Sequence, residues 1–259
     1  MNKRLSLALL VGLALVLASV LFLFIMMRER PADKAKAFPR GVIVVGVDAA
    51  VPPFASDDGE AVYGLDIDLG NAIARQLDLP IRFVNIGYYG LYDALISGEA
   101  DLLISALRVE AARMDDVRYT RQYFDNGLVL ATTKDKPIAS LEELAGLRVS
   151  YEFGSRADTE LRKLEGTGNG TTRLPYELPT YALDSLRLGY ADAAIVDAIT
   201  LRLYQRRFVA WNSTHTYLTR DPYAIATRHD NGDAWRLVDG ALAALKESGE
   251  LDKIIAKWL

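Results

Sequence analysis

Residues 94–106, ALISGEADLLISA, and residues 185–198, SLRLGYADAAIVDA, repeat one design: a helix, a glycine that stops it, Ala-Asp, and an apolar strand. Counted from Gly98 and Gly189, Ala106 and Asp197 both lie eight residues on, at the exit ends of equivalent strands. A chain that repeats such a unit is constrained toward two similar α/β lobes. Ligands in open α/β sheets bind beyond the carboxyl ends of the strands, so two such lobes facing each other make a cleft.

The surrounding sequence has the same alternation. GVIVVGV (41–47) is a β-branched run between glycine and Asp-Ala-Ala-Val-Pro-Pro, and it reads as a buried strand. In DIDLGNAIARQLDLP, Leu69, Ala72, Ile73 and Leu77 share one helical face, and Pro80 ends the run. IRFVNI (81–86) is a second strand, 90–97 a helix, and 101–105 a third strand. The order βαβαβ implies a parallel sheet with helices on its faces. The pattern restarts with strands at 147–151, 173–177 and 192–196, separated by helices that open at Gly154-Ser155 and at Thr180.

At 259 residues with a net charge of −4, the chain has room for a substantial core and lacks the basic balance expected of a nucleic-acid partner. It has no cysteine, which excludes disulfides, thiolate ligands and cysteine nucleophiles, and its two histidines, His215 and His229, join no ligand cluster. No metal and no cofactor are expected. Residues 5–27 are uncharged between Lys3-Arg4 and Arg28-Glu29-Arg30. As a helix they would rise about 34 Å, enough to cross a hydrocarbon core and longer than a cleavable signal's apolar region. They read as a transmembrane anchor or uncleaved signal, with 28–40 as a short tether and the remainder outside the cytoplasm, anchored to the cell membrane by the N-terminus.

VGVDAAVPPF, YGLDIDLGNAIARQL, YDALISGEADLLISAL followed by Arg113, SLEELAGLRVSYEFGS, ADAAIVDA and ALAALKESGELDKIIAKWL occur in this order. Together they resemble the bacterial extracellular solute-binding proteins of family 3, the polar amino-acid receptors of ABC importers. The resemblance implies an α/β, two-lobed type II periplasmic-binding fold with its ligand cleft between the lobes and one transmembrane helix before it. Lobe 1 would comprise 41–130 and 223–259 and lobe 2 would comprise 131–222, with crossovers near LVLATT and YAIATR. It also implies a non-enzymatic monomer whose partners are a small amino acid and an ABC permease.

An amino-acid receptor needs donors for an α-carboxylate, an acid for the α-ammonium and a wall for the side chain. The family pattern places the carboxylate-gripping guanidinium at Arg113, where bidentate geometry favours Arg over Lys. Ser155 opens a helix whose free amides suit the same carboxylate. Asp197 stands at the place of the ammonium-binding acid, Tyr88 at that of the aromatic wall, and Asp48 where the ligand side chain is met. Ala106 marks the strand end beside them. Each also has an ordinary reading: helix caps for Ser155 and Asp197, surface for Arg113, packing for Tyr88, turn chemistry for Asp48. Val51 replaces a second aromatic wall. Arg108 and Arg156 replace small or hydroxyl residues, and two added cations favour an acidic amino acid unless protein carboxylates such as Glu152 or Asp48 face them. Arg118 and Arg121 are read as solvated surface. The rival readings are a cyclohexadienyl (prephenate or arogenate) dehydratase, whose general-acid position here is Thr200, and a degenerate sensory or scaffold module.

Overall fold

The computed structural model describes residues 32–165, 168 and 170–259. The span expected at 5–27 lies outside them, and no helix among the described residues is long and apolar enough to cross a membrane. Residues Lys34–Leu259 form one compact unit.

That unit contains two five-stranded sheets of matching topology. In the first, β1 (Ile43–Val47) pairs in parallel with β5 (Ile81–Asn85) and β6 (Leu102–Leu103), and β13 (Pro222–Arg228) runs antiparallel between β6 and β7 (Val117–Asp125). In the second, β9 (Arg148–Glu152) pairs in parallel with β10 (Thr172–Tyr176) and β11 (Ala193–Asp197), and β8 (Leu128–Thr133) runs antiparallel between β11 and β12 (Ser213–Tyr217). A small antiparallel sheet of β2 (Ala50–Val51), β3 (Ala55–Asp57) and β4 (Val62–Tyr63) sits beside the first. Each parallel trio is thus completed by a strand that has just arrived from the other sheet. The chain crosses over between Asp125 and Leu128, and again between Tyr217 and Pro222. The crossovers expected near LVLATT and YAIATR precede those segments, which are themselves strands of the sheets they enter. LVLATT is a full strand of the second sheet, with Val129 paired to Val196, so 128–130 do not belong with lobe 1.

Helices cover both faces of each sheet, which is why the strands read as nearly unbroken apolar runs. In the second sheet Ile195 and Leu130 pack to one side with Ala157 and Leu161 of α4 (Arg156–Glu165). Val196 and Val129 pack to the other side with Leu183 of α5 (Pro179–Arg187) and Leu201 of α6 (Ala198–Arg207). The first sheet packs one face on α2 (Leu65–Leu77), α7 (Gly232–Glu247) and α8 (Glu250–Trp258), and the other on α3 (Leu91–Ser97). The tether expected over 28–40 is corrected where it is described. Lys34–Ala37 form a short helix, α1, and Ala37 and Phe38 are buried with Ala234 and Val238 of α7. Burying a phenylalanine is worth about 2–3 kcal/mol, enough to draw a charged segment onto the core.

Candidate functional site

The expected residues fall into two groups, one in each lobe, some at the carboxyl ends of parallel strands and others, such as Arg108 and Arg113, in the segments that follow. In the first lobe Asp48 follows β1. Its amide donates to Ser105 Oγ at 2.9 Å, and its Oδ2 accepts the Tyr88 amide at 3.1 Å. Tyr88 is 45% exposed and meets Tyr89 edge to face at 5.8 Å. Val51 packs against the first lobe's core. Ala106, just past β6, has φ of +46°, a left-handed conformation that costs an L-residue about 1–2 kcal/mol. Its amide donates to Asp66 Oδ2 at 2.8 Å and to the Tyr123 hydroxyl at 3.1 Å. Asp66 is fully buried. Desolvation pushes its carboxyl up to about 7, against the pull of Tyr123 and the Ala106 amide.

Arg113 ends a 3-10 turn, Ala111–Arg113. Its guanidinium lies 4.5 Å over the Tyr92 ring and 3.7 Å from Glu110, with the side chain 44% exposed. Arg121 is not merely solvated: it binds Asp239 of α7 through its amide, Nε and Nη2, tying β7 to that helix.

In the second lobe β9 runs into the turn before α4. Ser155 Oγ donates to the Glu152 carbonyl at 2.7 Å and accepts the Asp158 amide at 3.3 Å. Gly154 takes φ of +73°, and its amide donates to Asp158 Oδ2 at 3.0 Å. The Asp158 and Thr159 amides are both taken up by Ser155, whereas the opening amides of Arg156 and Ala157 have no described hydrogen-bond partner, and both residues line a cavity. Asp197 ends β11 and caps α6, accepting the Thr200 amide at 2.8 Å and the Thr200 hydroxyl at 3.0 Å. The capping reading of Asp197 therefore holds. A carboxylate has about four lone-pair positions, so two bonds do not exhaust it.

A cavity of about 200 Å³ lies where these elements meet the crossovers. It is lined by Arg108 from the first lobe, Asn126 and Leu128 at the first crossover, and Glu152, Ser155, Arg156, Ala157 and Asp197 from the second lobe, among others. At ~30 Å³ per water it has room for roughly seven waters, a small-molecule volume. Asp48, Tyr88, Ala106 and Arg113 do not line it. A larger depression of about 700 Å³ lies between α2 and α8 at the N-terminal end of β5, and none of the expected site residues lines it.

Arg108 and Arg156 face a protein carboxylate that neither Glu152 nor Asp48 supplies. Asp221, in the second crossover, places Oδ2 3.1 Å from Arg108 Nε and 3.3 Å from Arg156 Nη1, and only 8% of the residue is exposed. Arg156 Nη2 also donates to the Asn126 carbonyl at 3.2 Å. The pair of arginines therefore does not require a second ligand carboxylate, and the premise for an acidic ligand falls. Asp221 and Asn126 were not expected. The only signal for Asp221 is its place between Arg220 and Pro222 at the start of a strand, which by itself reads as ordinary turn chemistry.

The sequence pattern described as bacterial extracellular solute-binding proteins, family 3, matches residues 43–259. A probable histidine-binding protein of Neisseria gonorrhoeae is 29% identical over 88% of this chain and 87% of its own length. An ABC transporter arginine-binding protein of Escherichia coli is 26% identical over 82% of this chain and 88% of its own. Among solved structures, the second substrate-binding domain of Lactococcus lactis GlnP in an open conformation is 25% identical, with a TM-score of 0.66 over 85% of this chain and 95% of that one.

Proposed function

We propose a receptor function from one premise: the chain belongs to the bacterial extracellular solute-binding proteins, family 3. In this reading the protein is not an enzyme. It binds a free polar amino acid outside the cytoplasm and delivers it to an ABC permease, as a monomer held to the membrane by residues 5–27. The observation that carries the reading is the cavity at the crossovers, whose lining holds both a helix opening and a carboxylate around a space of small-molecule size. The amides of Arg156 and Ala157 with Ser155 suit an α-carboxylate, and Asp197 suits an α-ammonium. Tyr88 and Asp48 wait on the first lobe to cover the ligand's side chain when the lobes close. Arg113 completes the carboxylate clamp by leaving the Tyr92 face during that closure.

The test is a thermal-shift and calorimetric screen of the L-amino acids. A specific ligand at 100 times its dissociation constant adds about 2.7 kcal/mol to the stability of the folded chain. The reading fails if no amino acid shifts the transition. Arg113→Ala is expected to weaken binding at least about tenfold, since a lost charge-assisted pair is worth more than about 1.4 kcal/mol. An unchanged affinity removes Arg113 from the site.

A further inference from the structure

We propose that Asp221 sets the charge of the ligand this cleft accepts, by matching Arg108 and Arg156 so that the cavity presents a net negative charge. The inference rests on the reading of that cavity as the amino-acid site. Arg108 comes from the first lobe, Arg156 from the opening of α4 in the second, and Asp221 from the crossover between them. One buried oxygen, Asp221 Oδ2, lies 3.1 Å and 3.3 Å from the two guanidinium groups and has no other described partner. Burial makes this carboxylate a strong local field, because few waters screen it. The arginines themselves are about half exposed at 55% and 46%, so their unshared faces border the cavity they line.

The remaining charges decide the sign. Glu152 and Asp197 also line the cavity, and neither is in an ion pair among the described contacts. Two arginines against Glu152, Asp197 and Asp221 leave one negative charge, +2 − 3 = −1. A zwitterion with a neutral side chain leaves that charge in place. A cationic side chain cancels it, and an acidic one doubles it. The cavity therefore selects cationic over acidic amino acids. Without Asp221 the remaining charges sum to zero and the preference for a cationic side chain is lost, so the residue acts on specificity through the two arginines and touches no ligand itself.

The experiment is calorimetry on the full chain in detergent with L-arginine, L-glutamine and L-glutamate, for the wild type and Asp221→Asn. Wild type is expected to prefer arginine to glutamate. Asp221→Asn is expected to lower the arginine-to-glutamate affinity ratio at least about tenfold, as one unit charge a few ångströms away at an effective dielectric near 20 requires. Arg108→Gln and Arg156→Gln probe the same balance from the other side: each should raise the ratio, whether or not Asp221→Asn folds. An unmoved ratio in folded Asp221→Asn, or a ratio that does not rise in either arginine variant, overturns the inference while leaving the receptor intact. A wild type that binds other L-amino acids but prefers glutamate to arginine, or binds neither, overturns the inference, and absence of binding by every L-amino acid overturns the receptor reading itself.

Discussion

Behind each wall of the cleft a buried aspartate performs the same local task in opposite electrostatic surroundings. Asp66, in the first turn of α2, accepts the Ala106 amide and so fixes the backbone at the end of β6. Asp158, in the first turn of α4, accepts the Gly154 amide and so fixes the backbone after β9. Both occupy the positive end of a helix, where a carboxylate is favoured. Asp158 is further held by two guanidinium groups, Arg162 at 3.0 Å and Arg173 at 2.7 Å, and Arg162 foremost draws its pKa below the ordinary value. Asp66 has only neutral donors, and its Oδ1 has no described hydrogen-bond partner, so desolvation prevails and its pKa rises to about 7. Helix openings and amide contacts alone do not decide whether a buried acid is charged. Paired cations do.

Asp158→Asn should have the largest effect. It removes a buried carboxylate that accepts from both Arg162 and Arg173 and from the Gly154 amide, and loss of one partner from such a pair costs about 3 kcal/mol. The wild-type contribution is present above the ordinary carboxylate range and is lost as pH falls through the lowered pKa. Denaturant titrations of the variant should therefore show a loss at neutral pH that shrinks only as pH falls below the ordinary value of 3.8. A loss of the same size at every pH would mean that packing, and not charge, holds this turn.

Asp66→Asn should act in the opposite direction. A carboxyl raised from 3.8 to about 7 binds its proton more tightly folded than unfolded. The folded chain then has its full stability below about pH 4, loses it as pH rises toward 7, and is level above that. Roughly three pKa units correspond to about 4 kcal/mol at most. An asparagine removes that penalty but buries amide hydrogens short of acceptors, which returns about 1–3 kcal/mol. The expected net is a gain of about 2 kcal/mol at pH 8 and a loss at pH 4, with the curves crossing between. Parallel curves would show that Asp66 does not titrate in this interval.

These pairings mark the boundary of what was legible in the amino-acid order. The echo was readable because helix, glycine stop and strand are local features, and Gly98 and Gly189 do end α3 and follow α5 with positive φ. The equivalence of the two positions holds only in part: Asp197 is the last residue of β11, whereas β6 ends at Leu103 and Ala106 lies three residues beyond it. The arginines were legible as charges but not as partners. Asp221, which answers Arg108 and Arg156, is brought to them only by the second crossover, and Asp239 meets Arg121 through α7. Lys34–Ala37 failed for a related reason. Its lysines read as a solvated tether, while the two residues that decide its fate, Ala37 and Phe38, find their apolar surface on a helix two hundred residues away in the chain.

The two echoed positions themselves give the smallest and most discriminating test. Asp197 is extended, with φ of −75°, and starts a helix, whereas Ala106 is left-handed and starts a loop. If the lobes differ because the first must hold a strained amide on Asp66, glycine at 106 should relieve the strain. Ala106→Gly regains about 1 kcal/mol of left-handed penalty and loses a similar amount through unfolded-chain freedom, so the net change should stay within about 1 kcal/mol. The pH dependence assigned to Asp66 should persist, because the amide that donates to it is still present. Amino-acid affinity should fall a few-fold as the loop before Arg108 gains freedom. Affinity unchanged, with stability clearly raised, would mean that the left-handed turn serves folding geometry alone and that only the second lobe arrives at the cleft with its binding groups already set.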